Sequence, residues 1–218
     1  RVTVIKGNQP VLIVAPHGYD DKNTKEIALF IAKELGCSCV TNNGWRRSNV
    51  VDAINGEANC NDVRHCLEDV VKDEFLDPIL GFSNRTIKDF GFGYVFYIHG
   101  MGQNSPDMIV GYGEGDIPSY TCRPVTKDIF IKLCQDNSIS ACSAGSDSKY
   151  GGRAKNNLNQ LFRRWYLKEK IYTMQLEIAA HLRSSSMIKN IGTGLACAID
   201  ELLERDNFKS WTLDMSGI

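Results

Sequence analysis

Three short hydrophobic runs in this chain each end at a polar residue suited to catalysis. They are residues 11–16 before His17, residues 94–98 before His99, and residues 171–176 before Glu177. Runs of this length that are rich in Val, Ile, Tyr and Phe are typical of buried strands. Because the ligand crevice of an open α/β sheet lies at the carboxyl ends of its strands, we expect the three polar side chains to share one edge of a sheet.

The segment after His17 carries a helical repeat of apolar residues over positions 24–35. Asn23 or Thr24 can cap the start of this helix, and Gly36 stands where a left-handed residue commonly ends one. Residues 37–41 then predict a second strand. The stretch 11–41 is therefore a predicted strand–helix–strand unit, which joins parallel strands through a right-handed crossover.

The rest of the chain predicts further helices and strands in alternation. Helices are predicted over residues 63–80, 125–133, 156–165 and 188–205, and strands over residues 1–6, 108–113 and 139–142. The segment 42–65 is polar and irregular, and a long loop of this kind inside a compact domain is often functional. Because no repeat, linker or low-complexity segment divides the sequence, we expect one α/β domain over residues 1–218.

Composition and charge argue against two classes of partner. The chain carries 25 Lys and Arg against 26 Asp and Glu, a formal net charge of −1. A balanced surface of this kind does not attract polyanions, so we expect no nucleic-acid partner. No apolar stretch approaches the ~20 residues that span a bilayer, so we expect no membrane partner.

The eight cysteines indicate neither a zinc ribbon nor a disulfide scaffold. They are dispersed and include no CxxC pair, and disulfides usually staple domains much smaller than this one. We therefore expect free, mostly buried thiols in a reducing compartment, and a cytoplasmic protein.

His17 and the acidic residues behind it form a candidate start to a zinc site. Asp20 and Asp21 follow three and four positions later, in the turn after the first strand. His99, at the end of another strand, supplies a third ligand from far away in sequence. Three protein ligands with an open fourth position are the pattern of catalytic Zn²⁺. The alternative is a pair of solvated histidines at strand ends, with no metal.

Glu177 is the candidate proton-transfer residue. Alternation along the strand places its side chain on the same face as residues 173 and 175. A carboxylate at the carboxyl edge of the sheet is able to take a proton from metal-bound water and pass it to a leaving amine. The alternative is a surface glutamate that contacts His181, four residues on.

Other polar residues favour a small-molecule or peptide substrate that carries a carboxylate. Asn59, Asn61 and Arg64 concentrate hydrogen-bond donors in the long loop, and Arg153 and Arg183 lie near other candidate site elements. Guanidinium groups bind carboxylates through two parallel hydrogen bonds. Solvated loop arginines are the alternative interpretation, and the sequence leaves the oligomeric state open.

Four short motifs occur in an order that resembles a known group of hydrolases. They are Pro16-His17-Gly18 with Asp20, Asp21 and Thr24, then Asn59-Cys60-Asn61-Asp62, Ile98-His99-Gly100-Met101, and Gln175-Leu176-Glu177-Ile178 with Arg183. Together they resemble the N-formylglutamate amidohydrolase family and the related phage poly-γ-glutamate hydrolases, within a broader set of zinc carboxypeptidase-like hydrolases. The resemblance implies a phosphorylase/hydrolase-like fold with three α/β/α layers, of which the middle layer is a mostly parallel sheet.

The same resemblance implies roles for individual residues. His17, an aspartate and His99 correspond to the zinc ligands, and Glu177 corresponds to the catalytic glutamate. Carboxypeptidase-like spacing selects Asp20 as the acidic ligand, whereas counting back from Thr24, as in the phage hydrolases, selects Asp21, which we favour. The sequence departs from the family at Asp62, where many relatives have the arginine of an Asn-Arg pair that holds the substrate carboxylate.

The sequence thus predicts a zinc-dependent amidohydrolase or metallopeptidase that acts on an N-acyl-glutamate or γ-glutamyl substrate. Asn59, Asn61 and an arginine would orient that substrate. Two other hypotheses remain at this point. One is a non-catalytic ligand-binding domain on the same scaffold, and the other is thiol chemistry at Cys142 or Cys60 with one of the histidines.

Overall fold

Seven strands form one mixed sheet in the computed structural model, which describes residues 1–115, 119–146, 148–163 and 171–214, with side chains up to residue 205. The strands are β1 (Val2–Ile5), β2 (Val11–Ala15), β3 (Ser38–Asn42), β4 (Gly93–Met101), β5 (Met108–Gly111), β6 (Ala141–Ser143) and β7 (Ile171–Ala179). Their order across the sheet is β1-β3-β2-β4-β7-β5-β6. Four neighbouring pairs are parallel, whereas β1 with β3 and β5 with β7 are antiparallel. The prediction of a mostly parallel central sheet is confirmed.

Helices cover both faces of the sheet. They are α1 (Thr24–Leu35), α2 (Val63–Cys66), α3 (Asp69–Val71), α4 (Asp77–Phe90), α5 (Pro124–Asp136) and α6 (Ile188–Asp214). Odd-numbered positions of β2 belong to a hydrophobic cluster that includes residues of α1, α5 and α6, and its even-numbered positions belong to one that includes residues of α4. Strands that are buried on both faces account for the continuous hydrophobic runs of the sequence. The predicted three-layer α/β/α architecture is therefore confirmed.

The predicted strand–helix–strand unit is present as β2, α1 and β3. Gly36 ends α1 in the left-handed conformation, with φ 62°, as predicted. The predicted cap at the other end is absent, because neither Asn23 nor Thr24 accepts a capping hydrogen bond. The Asn23 amide instead donates to the carbonyl of Arg183 at 2.7 Å, and the Thr24 hydroxyl donates to the carbonyl of Asp21 at 2.8 Å.

Two helix predictions need correction. The predicted helix over residues 63–80 is divided into α2, α3, a π-helical turn (Lys72–Leu76) and α4, which continues to Phe90. Where a helix was predicted over residues 156–165, the structure has only a 3-10 turn (Leu158–Gln160). Positions 164 and 165 of the predicted helix lie outside the described residues. The Asn157 side chain accepts from the backbone N–H of Asn159 at 2.7 Å, a local bond that favours a turn over a helix.

The cysteines are free thiols, as predicted. Six are buried, and Cys142 and Cys197 are exposed. Within the described residues, no helix combines the length and the apolar character that crossing a membrane requires.

The strand order creates a crevice beside β2. After β2 the chain continues to β3 on one side, and after β4 it continues to β5 on the other side. The chain therefore leaves these two neighbouring strands in opposite directions along the sheet. Divergent connections of this kind open a ligand crevice at the carboxyl ends of the strands. His99 lies in β4 directly opposite Glu177 in β7, because those two positions are paired in register. The topology therefore brings the ends of the three hydrophobic runs to one edge, as predicted.

Candidate functional site

His17, Asp21 and His99 form a compact group at this edge. The Asp21 Oδ2 lies 3.6 Å from Nδ1 of His17 and 4.0 Å from Nδ1 of His99. The ring centroids of the two histidines are 5.0 Å apart. Each of the three residues offers one ligand atom within 4.8 Å of the other two. The turn after β2 brings Asp21 back to His17, since the Asp21 N–H donates to the His17 carbonyl at 2.7 Å.

The polar atoms of this group fit a metal ion. Nδ1 of His17 and Nε2 of His99 are buried without a hydrogen-bond partner, which is rare for buried polar atoms. Nε2 of His17 lies 2.9 Å from Oδ1 of Asn59, an oxygen that only accepts. The proton of His17 therefore belongs on Nε2, which leaves the lone pair of Nδ1 free for a cation. Two imidazoles and a carboxylate are a donor set that suits zinc.

The protonation states of the group suit the same purpose. Burial, with the nearby His17, lowers the pKa of His99 to about 3, so its ring is neutral at physiological pH. Burial by itself would raise the pKa of Asp21, but the nearby ring of His17 and the hydrogen bond from the N–H of Gly100 outweigh it. The net effect lowers the pKa of Asp21 below its ordinary value, so the carboxylate is ionised. A neutral imidazole, as at His99, and an ionised carboxylate, as at Asp21, are the forms that bind metal.

The structure separates the two candidate aspartates. Asp21 points to the two histidines, whereas Asp20 is exposed and its Oδ2 accepts from the backbone N–H of Arg47 at 2.6 Å. Successive residues in the turn after β2 thus serve different partners. The geometry favours Asp21 as the acidic ligand. Asp20 instead holds the loop that carries Arg47 through the hydrogen bond to its backbone.

Glu177 lies beside the His-Asp-His group and is only 6% exposed. Its Oε1 accepts from Nε2 of Gln175 at 2.7 Å. Burial, with the negative charge of Asp21, raises the pKa of Glu177 to about 7. A carboxyl group with a pKa near the working pH is well placed to exchange protons. The alternative contact with His181 is not formed, since His181 pairs instead with Asp107 at 3.1 Å.

A cleft of about 330 Å³ opens over these residues. Besides the His-Asp-His group and Glu177, its wall includes Asn61, Arg47, Lys149, Tyr150, Asn157 and Gln175. The cleft is enclosed by the loop after β3, the ends of β4 and β7, and the connection between β6 and β7. A small molecule or a short stretch of peptide fits a space of this size.

The predicted polar residues divide between the cleft and other places. Asn61 lines the cleft, and its Oδ1 is buried without a partner. Asn59 stands behind His17 and orients its ring. Arg64 is turned to solvent, with 73% of its side chain exposed, and its Nη2 donates to Asp62 at 2.6 Å. Arg153 lies against Gly115.

Arg183 is also occupied away from the cleft wall. Its guanidinium donates to the backbone carbonyls of Ile178, Lys22 and Met101 at 3.1, 2.8 and 3.2 Å. It therefore ties the end of β7 to the end of β4 and the start of α1. Among the described residues that line the cleft, none is one of the three predicted arginines.

Sequence reasoning missed the cations that do line the cleft, Arg47 and Lys149. Both come from irregular connections, and no periodic signal marks them. Gln175 was also missed, although its position two residues before Glu177 on the same strand face was a usable signal.

Comparison with known proteins gives the same fold. No family model matches the chain, and no curated protein matches it by sequence. A bacteriophage poly-γ-glutamate hydrolase superposes with a TM-score of 0.57 at 14% identity, over 94% of this chain and 89% of that protein. An N-formylglutamate amidohydrolase from Ralstonia eutropha gives a TM-score of 0.56 at 12% identity, over 94% and 98%. A metallo-carboxypeptidase from Burkholderia cenocepacia gives 0.55 at 13% identity, over 94% and 61%.

These similarities establish the fold, since the sequence identities are low. The superpositions confirm, for the fold, the resemblance to these hydrolases that the sequence motifs indicated. The structure adds a His-Asp-His group at the edge where the sequence predicted a metal site.

Proposed function

We propose that this protein is a zinc-dependent hydrolase that cleaves an amide or peptide bond in an acidic substrate. The observation that carries the proposal is the buried group of His17, Asp21 and His99 beside Glu177, a carboxyl group with a pKa near neutrality. The hydrolase folds of the structural neighbours support it, and one neighbour was solved as a zinc-free apo form.

His17 through Nδ1, Asp21 through its carboxylate and His99 through a ring nitrogen would hold the ion. When bound, zinc would polarise a carbonyl group and lower the pKa of water, so that hydroxide is available as the nucleophile at neutral pH. Asn59 fixes the ring of His17, and the N–H of Gly100 donates to Asp21 at 3.0 Å, so two of the three ligands are held from behind.

Glu177 would act first as base and then as acid. Its carboxylate takes a proton from the attacking water and later gives that proton to the leaving amine. The Gln175 amide, itself bonded to the side chain of Asn157 at 3.2 Å, holds one oxygen of Glu177 in place. Because β7 pairs with β4 in register, this proton carrier stands directly beside His99.

An acidic substrate of the N-acyl-glutamate or γ-glutamyl class suits the cleft because Arg47 and Lys149 line it. The thiol hypothesis has less support, since burial raises the pKa of Cys60 well above its usual range, and neither Cys60 nor Cys142 lines this cleft. A non-catalytic binding domain remains the competing proposal, and it predicts binding without turnover.

The first test is metal content and hydrolysis in matched variants. We expect about one zinc per chain in the wild type by elemental analysis, lost in His99→Ala and kept in Glu177→Gln and in the exposed control His181→Ala. Hydrolysis of N-formylglutamate or γ-glutamyl oligomers should disappear in both His99→Ala and Glu177→Gln. A Glu177→Gln protein that keeps its activity removes Glu177 from the mechanism, and a wild type that takes up no zinc contradicts the proposal.

A further inference from the structure

A second cavity lies at the other end of the strands from the candidate active site. Its volume is about 370 Å³, close to that of the cleft over the His-Asp-His group. Leu12 and Ser38, near the starts of β2 and β3, line this cavity, whereas His17 and the loop of the cleft follow the ends of those two strands. The two cavities are therefore separated by the length of the strands and share no residue.

The sheet supplies one wall of this second cavity. Val4 pairs in register with Val40, and Leu12 pairs with Ser38. Because paired positions and alternate positions of a strand share a face, the four side chains lie on the same face of the sheet. Leu12 and Val40 belong to the hydrophobic cluster that includes residues of α4, so this is the face that α4 covers. The wall is apolar except at Ser38.

The helix α4 supplies the opposite wall. Pro78, Gly81, Phe82 and Arg85 line the cavity, and their spacing of three and four residues places them on one face of the helix. Nothing lies within 4 Å of an ideal Cβ built at Gly81. Glycine is a poor residue for the interior of a helix, but at this position it leaves the space between helix and sheet open.

Two cations, Lys6 and Arg85, also line the cavity. In the part of the chain that the structure describes, no carboxylate lies within 4.0 Å of either charged group. Nη2 of Arg85 donates to Oγ of Ser38 at 2.8 Å, and the N–H of Gly7, next to Lys6, donates to the same oxygen at 3.1 Å. One buried oxygen thus joins the segment that carries Lys6 to the guanidinium of Arg85.

The hydroxyl group of Ser38 has a proton to give. Its side chain is buried, and both of its partners, the N–H of Gly7 and the guanidinium of Arg85, are donors only. Among the described residues, no acceptor takes the Ser38 proton. Buried donors nearly always have an acceptor, and an anionic oxygen of a ligand would supply one here.

We infer that this cavity binds a small amphipathic anion. An apolar body would pack between the sheet and α4, and an anionic head would meet Lys6, Ser38 and Arg85. Ligand cavities of this size are typically apolar with a few polar groups that fix orientation, and this arrangement matches that pattern. A carboxylate and a phosphate monoester present the same anionic oxygens to such a site. The inference does not depend on the proposed function, since the cavity contains none of the proposed catalytic residues.

The test compares four probes that differ in head or body. Octanoate and octyl phosphate carry both an anionic head and an apolar body, 1-octanol lacks the charge, and acetate lacks the body. Calorimetry on metal-free protein measures the affinity of each. We expect octanoate or octyl phosphate to bind at least tenfold more tightly than 1-octanol and acetate, and the tighter of the two anions identifies the head group. Failure of both anions to bind at millimolar concentration, or equal affinity for 1-octanol, contradicts the inference.

A cavity-filling variant shows where the probe binds. Gly81→Leu places a side chain in the open space and replaces a poor helix former, so we expect the variant to fold and to lose binding of the preferred anion by tenfold or more. Asn84→Leu, at an exposed position of the same helix outside the cavity wall, is the matched control and should bind as the wild type does. Unchanged affinity in folded Gly81→Leu, checked by circular dichroism, would place the probe elsewhere and contradict the inference.

A charge variant tests the head-group site independently. Arg85→Gln should reduce the affinity for the preferred anion roughly tenfold and leave the affinity for 1-octanol unchanged. Lys88→Gln, exposed on the same helix and outside the cavity wall, is the control for the loss of one positive charge. An Arg85→Gln protein that binds the anion as tightly as the wild type would show that the cations do not select the ligand, and the inference would be wrong.

Discussion

A single side-chain oxygen decides which nitrogen of His17 is free for metal. Oδ1 of Asn59 accepts from Nε2 of His17, and the same oxygen accepts from the N–H of Asn61 at 3.1 Å. Partners of this kind fix the orientation and tautomer of a metal-binding imidazole, and losing one typically costs 10–100-fold in metal affinity.

We therefore expect Asn59→Ala to weaken zinc binding by roughly 10–100-fold, measured by competition with a chelator of known affinity. Asn59→Asp keeps an accepting oxygen and should retain most of the affinity. Asn55→Ala, exposed in the same loop, is the control. Equal zinc affinity in Asn59→Ala and wild type would show that the ring of His17 needs no support from this residue.

The raised pKa of Glu177 predicts a pH-dependent stability in the metal-free protein. Burial, with the charge of Asp21, raises this pKa from 4.5 to about 7. Between these values the folded protein holds a proton that the unfolded chain has lost, so stability falls as pH rises through this window.

Replacing Glu177 by Gln removes that titration. Relative to wild type, the variant should gain up to about 3 kcal/mol in the free energy of unfolding as pH rises from about 4.5 to about 8. Urea denaturation with a chelator present measures the difference, with the exposed Glu204→Gln as control. A difference that stays constant with pH would mean that Glu177 has an ordinary pKa.

At the scale of elements, Arg183 and Gly100 hold the ends of β4 and β7 together. A Cβ at Gly100 would lie 2.4 Å from Cζ of Arg183, and that guanidinium is fixed by backbone carbonyls. We expect Gly100→Ala to destabilise the protein by roughly 1–3 kcal/mol, because the added methyl group has no space.

Chemical denaturation of Gly100→Ala beside Gly102→Ala checks this expectation. Gly102 has open space around its ideal Cβ and should tolerate alanine. Similar stability in the two variants would mean that Arg183 moves aside without cost and is not a rigid tie.

The elements also show where sequence reasoning is reliable. β2, β4 and β7 were predictable because each is a continuous apolar run, and α1 because its stripe and its Gly36 stop agree. The predicted helix over residues 156–165 was wrong because the side chain of Asn157 forms a local bond that periodicity does not register. The same holds for the candidate site. His99 and Glu177 were predictable because they follow apolar strands, whereas Arg47 and Lys149 lie in irregular loops that no periodic pattern marks.

At the scale of the whole molecule, the proposed metal ligands lie at the carboxyl edge of the sheet, where polar residues follow the strands. The packing of the sheet against helices on both faces comes from hydrophobic side chains. We expect a chelator to abolish activity and to leave the far-UV circular dichroism unchanged.

Zinc should still raise the free energy of unfolding, by about 2.7 kcal/mol when its free concentration is 100 times Kd. Thermal denaturation at several zinc concentrations measures this effect. Loss of secondary structure on chelation would show that the fold depends on the ion.

The fold class was predictable at this scale because alternating strands and helices permit few topologies. The surroundings of the predicted arginines were not predictable, because Arg64 pairs with Asp62 and Arg183 with backbone carbonyls only in the folded chain. The order of the strands across the sheet was equally hidden, since β7 pairs with β4 and β5 from distant parts of the chain.

That placement of β7 sets an order of events during synthesis on the ribosome. β1 to β4 form one contiguous half of the sheet, and β5 with β6 form the other, but only β7 pairs with both halves. A nascent chain that ends before residue 171 already contains His17, Asp21 and His99, yet it lacks Glu177 and the strand that unites the sheet. We expect the protein to become a catalyst only when its last strand is in place, so that an unfinished chain is unable to hydrolyse anything.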